Sequence, residues 1–71
     1  MTEYKVMAYF TEIYPERSYK RKVVNDLDEA KKLLEEAKAY YVSFSGAKYL
    51  EKVVLVEREV SDWEEVNETD Q

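Results

Sequence analysis

The chain has 71 residues, 45% apolar and 38% charged, with 16 acidic and 11 basic side chains and a net charge of −5. That is enough for one domain and too little for a second core, in a composition typical of folded rather than disordered chains. It contains no histidine, no cysteine and one glycine, Gly46, which excludes disulfides and removes most of the usual general bases, thiol nucleophiles, transition-metal ligands and phosphate-cradling loops.

Residues 3–14 alternate as a strand does, with Tyr4, Val6, Ala8 and Phe10 on one face and Lys5, Met7, Tyr9, Thr11 and Ile13 on the other. Tyr14-Pro15-Glu16-Arg17 reads as a turn, because proline presets φ. Ser18 to Val24 then reads as a second strand, antiparallel to the first since a parallel return needs a longer crossover. A helix is predicted over 26–44. Asn25 or Asp26 caps it, and Leu27, Ala30, Leu34, Ala37, Tyr41 and Phe44 recur at three- and four-residue steps, widened by Leu33 and Tyr40. Lys31, Lys32, Glu35, Glu36 and Lys38 form its solvated face, and Gly46 is expected to stop it in the left-handed conformation. Residues 48–60, centred on Val53-Val54-Leu55-Val56, read as a third strand. Ser61 and Glu64 have capping-box spacing for a last helical turn.

The expected fold is therefore α+β, in the order β-β-α-β, with a three-stranded sheet and one helix on one of its faces. Residues 1–66 form the single domain, and Asn67 to Gln71 are expected to fray as an acidic tail. The helix stripe should meet Val6, Ala8, Phe10 and either Val54 or Val56.

Three surfaces carry the functional expectations. The face of the sheet away from the helix should display Met7, Tyr9, Ile13, Val53 and Leu55, more apolar surface than a small monomer leaves open; this predicts either a homodimer or other protein interface, or a tail that folds back over part of the face through Trp63 and Val66. A basic edge, Arg17, Tyr19, Lys20, Arg21 and Lys22, offers cations beside an aromatic ring, the chemistry of a nucleotide or single-strand binder. The same charges on an edge strand also block unwanted pairing, and a pI near 4.7 disfavours nucleic acid. An acidic surface, Glu57, Glu59, Asp62, Trp63, Glu64 and Glu65, could imitate a phosphate backbone toward a basic host protein. Adjacent carboxylates such as Glu35/Glu36 lack any accompanying catalytic group, so no enzymatic activity and no cofactor or metal are expected.

The cysteine- and histidine-free small domain with an acidic end loosely resembles orphan accessory proteins of bacteriophages and prophages, whereas DLDEAKKLLEEAKA, from Asp26 to Ala39, resembles a designed helix. The phage resemblance implies a non-enzymatic accessory or inhibitor protein that works by contact. With no apolar run long enough to span a membrane and no signal-peptide pattern at its start, the expected location is the cytoplasm.

Overall fold

The computed structural model describes residues 2–59 and 63–66. Strand β1 spans Glu3–Phe10 and β2 spans Arg17–Ser18; helix α1 spans Leu27–Val42; strand β3 spans Leu50–Arg58 and β4 spans Glu64–Glu65. All pairings are antiparallel, in the order β2-β1-β3-β4. The class is α+β as expected, but among the described residues the sheet has four strands. The fourth forms where a helical turn was predicted: Glu64 pairs with Glu57 and Glu65 with Val56, and the Val66 N–H donates to the Leu55 carbonyl at 2.9 Å. Ser61, the cap of that predicted turn, and the tail from Asn67 to Gln71 lie outside the described residues.

Helix α1 begins where its chemistry dictates. The Asp26 carboxylate accepts from the Glu29 N–H at 3.3 Å, and Asp28 and Glu29 sit in the first turn, at the positive end of the helix dipole. Ala30, Leu33, Leu34, Ala37 and Tyr41 form the buried stripe. The small Ala8, Ala30 and Ala37, all fully buried, allow the helix close approach to the sheet. Gly46 does not stop the helix by left-handed geometry, since its φ is −95°. Its role is spatial: a Cβ there would stand 2.9 Å from the edge of the Phe44 ring.

The second strand is much shorter than predicted, for a reason set by burial. Met7 pairs with Ser18 and Ala8 with Arg17. Continued without a break, that register would bring Arg21 opposite Tyr4, on the helix side of the sheet. Instead Tyr19–Arg21 forms a 3-10 turn, with Lys20 and Arg21 both at positive φ (54° and 51°), and Val24 becomes the residue that bridges Tyr4. The looped-out residues exchange a buried arginine for a buried valine. Burying an unpaired guanidinium costs far more than two left-handed residues, at about 1–2 kcal/mol each.

In β3 the observed register selects between the two apolar rows. Val6 pairs with Leu55 and Ala8 with Val53, so Leu55 joins the core under the helix and Val53 packs against it. Val54 and Val56 pair with Met7 and Lys5 on the other face. The expectation that Val54 or Val56 would meet the helix is therefore reversed, because a shift of one residue exchanges every side chain between faces.

Candidate functional site

The sheet face away from the helix holds Met7 and Tyr9 as expected, together with Val54 and Val56 in place of Val53 and Leu55. Leu55 is 2% exposed inside the core, and Ile13 lies beyond the end of β1, 66% exposed in the turn. The face is largely closed within one chain. Met7 and Val56 are buried. Trp63 lies against two cations, with its ring centroid 4.3 Å from the Lys5 ammonium and 4.5 Å from the Arg58 guanidinium. Lys52 Nζ donates to Glu65 Oε2 at 2.6 Å and Arg58 Nε to Glu3 Oε1 at 2.8 Å. The Glu65 hydrogen bond raises the Lys52 pKa, and burial raises that of the Tyr9 hydroxyl.

The acidic surface is not a single array. Glu57 and Glu64 stand directly opposite each other, a like-charge pair that weakens β4. Glu65 is held by Lys52, Glu59 is exposed, and Asp62 lies outside the described residues. Trp63 is docked on the sheet rather than projecting as an anchor.

The basic edge changes most, because its turn folds it against the C-terminal half of α1. Tyr19 is no exposed stacking platform: its ring is buried against Tyr40 and Tyr41, with centroids 5.7 and 6.1 Å away. Its hydroxyl donates to Glu36 Oε2 at 2.8 Å, and Lys20 Nζ lies 2.8 Å from the same oxygen. Glu36 thereby clasps the turn to the helix. The Lys20 ammonium, then the Tyr19 hydroxyl, hold the Glu36 carboxyl below its usual range, while the bonds to Glu36 raise the pKa values of Lys20 and Tyr19. Arg17 lies 5.3 Å from the Phe44 ring centroid, and Arg21 and Lys22 are exposed.

Between the Pro15–Arg21 segment and Tyr40–Tyr41 lies a groove of about 670 Å³. Its tyrosines belong to a larger cluster. Tyr19, Tyr40, Tyr41, Phe44, Phe10, Tyr14 and Tyr49 form an unbroken chain of ring contacts, with neighbouring centroids 4.9 to 6.1 Å apart. Seven of the chain's ten aromatic residues thus gather at one pole, where β1 ends, α1 ends and β3 begins. Arg17, Lys20 and Lys48 each lie over one of these rings. The Tyr40–Phe44 step was legible as helical spacing. The meeting of Tyr14 with Tyr49 and of Tyr19 with Tyr40 depends on topology, and no sequence signal marked either. Among the described residues no three acidic side chains converge as a metal site, and no helix is long and apolar enough to cross a membrane.

Family models, curated proteins and solved structures offer no match to this chain. The site is therefore read from its own geometry.

Proposed function

We propose that this chain is a non-enzymatic protein-binding module, an accessory or inhibitor protein like the small phage proteins it resembles, and that its contact surface is the aromatic pole. One observation carries the reading. Of the five strongly exposed large apolar side chains among the described residues, four belong to the segments that close this pole: Ile13, Tyr14, Tyr40 and Val42. Tyr14 and Tyr40 are themselves members of the aromatic cluster, Ile13 and Val42 adjoin it in the same two segments, and exposed apolar side chains concentrated at one end of a small domain mark an interaction site. Tyrosine and arginine are also the residue types that dominate binding hot spots. The sheet face first expected to bind has less to offer, because Met7 and Val56 are already buried within one chain. A second copy of the chain is among the partners that the pole could engage.

A photo-crosslinking residue in place of Val42 or Ile13, compared with one in place of the solvated Lys32, tests this in the cells that express the protein. Crosslinks to a protein, or to a second copy, from positions 42 and 13 but not from 32 are expected. Equal capture at all three positions, or none at the pole, refutes it.

A further inference from the structure

We infer that the partner segment filling the groove is an acidic peptide bearing a large aromatic side chain; this rests on the pole being the contact surface. The rim supplies the charge argument. Among the described residues no carboxylate lies within ion-pair distance of Arg17, Arg21 or Lys22, whereas the other cation of the turn, Lys20, is taken by Glu36. Arg17 and Arg21 therefore border the groove with their donors available, in the fork geometry that suits carboxylates.

The backbone fixes where that rim stands. Lys20 and Arg21 occupy consecutive left-handed positions, held there by the bridge of Val24 to Tyr4, and both border the groove. The floor supplies the aromatic argument. Tyr40 is 49% exposed, which leaves part of its ring open to another aromatic side chain beside the Tyr19, Tyr41 and Phe44 rings that already pack on it.

The molecule already contains this recognition chemistry in miniature. Its segment Trp63-Glu64-Glu65 lies on the sheet with the indole against Lys5 and Arg58 and one carboxylate on Lys52. A peptide fits the groove better than a nucleic-acid strand does. Glu16 lines the groove, Glu36 neutralises Lys20, and one exposed ring does not make the row of stacking platforms that successive bases require. A net charge of −5 also repels a regular phosphate chain more than it repels two or three carboxylates.

The test titrates the full chain, at low salt, with three probes: a capped acidic pentapeptide with a central tryptophan, the same peptide with lysine for each acid, and oligothymidylate. Amide NMR shifts provide the readout. The acidic peptide should shift the Arg21 and Tyr40 amides with a Kd of about 1 mM or tighter and weaken with added salt. Arg21→Gln and Tyr40→Ala should each weaken it by up to about fivefold, roughly 1 kcal/mol. Lys32→Gln on the far face should leave it unchanged, with circular dichroism reporting an intact fold in every variant. Equal binding of the lysine peptide, tighter binding of oligothymidylate, or no saturable shift by the acidic peptide overturns the inference. If that happens while pole crosslinks persist, the pole stands and only the acidic partner fails; if crosslinks are lost too, both readings fall.

Discussion

Leu55→Ala tests the register on which the whole core depends. Leu55 is 2% exposed and pairs with the fully buried Val6 beneath α1, so its truncation removes three carbons from the helix–sheet interface. At about 0.8 kcal/mol per buried methylene that is roughly 2.4 kcal/mol of transfer free energy. The cavity left between a helix and a hydrogen-bonded strand collapses only partly, which raises the total into the range of about 2–5 kcal/mol. Val54→Ala, one residue away, removes two carbons from a half-buried site on the other face and should cost about 1 kcal/mol. A 71-residue domain has roughly 4–11 kcal/mol of stability in all, so the first change consumes a large part of it and the second does not. In urea, with a slope near 1 kcal/mol per molar, the midpoints should fall by roughly 2–5 M and about 1 M respectively. Should Leu55→Ala unfold the protein outright, the dispersed NMR spectrum of Val54→Ala supplies the contrast. Equal losses, or a larger loss at Val54, would falsify the register.

Acid should open the clasp between the 3-10 turn and α1. The Glu36 carboxyl is held below its ordinary range in the folded state, so its stabilising contribution is complete above that range and is lost as pH falls through the folded pKa. A carbon NMR titration should give Glu36 a midpoint below the usual glutamate value, with Lys20 and Tyr19 shifts moving together, and Glu36→Gln should abolish that coupled change; a midpoint at or above the usual value contradicts the clasp. Arg21→Gly should relieve a left-handed residue at φ 51° and raise stability by up to about 1 kcal/mol, seen as a higher Tm. A lower Tm would contradict the strain argument.

How much could be read from the chain alone varied by element, and for identifiable reasons. Helix α1 was legible nearly to its ends, because the Asp26 cap and the three-to-four spacing from Leu27 to Tyr41 act within a turn or two of the residues that carry them. Strand β1 was legible as far as Phe10, because Tyr4, Val6, Ala8 and Phe10 share the face that meets the core; the predicted run to Tyr14 fails after Phe10, where the chain turns. Strand β3 is apolar on both faces over Val53-Val54-Leu55-Val56, so alternation carried no sign, and pairing with Val6 and Ala8 chose the row that met the helix. The second strand failed as a prediction because local propensity took no account of where Arg21 would point once opposite Tyr4.

The candidate site divides along the same line. Its ingredients are local: cations from Arg17 to Lys22, a turn at Pro15, tyrosines at Tyr40 and Tyr41, no histidine or cysteine, and an overall charge of −5. Their assembly is not. Tyr14 reaches Tyr49 because β1 and β3 are neighbours, and Tyr19 reaches Tyr40 because a three-residue slip in the edge strand folds the turn onto the helix. Short-range sterics and capping determined the helix and the central strand. The sequence left two uses open for the opposite sheet face, a partner or the returning Trp63 segment, and the aromatic pole, the groove and the docking of Trp63 over Lys5 and Arg58 were decided only when pairs far apart in sequence competed for the same space.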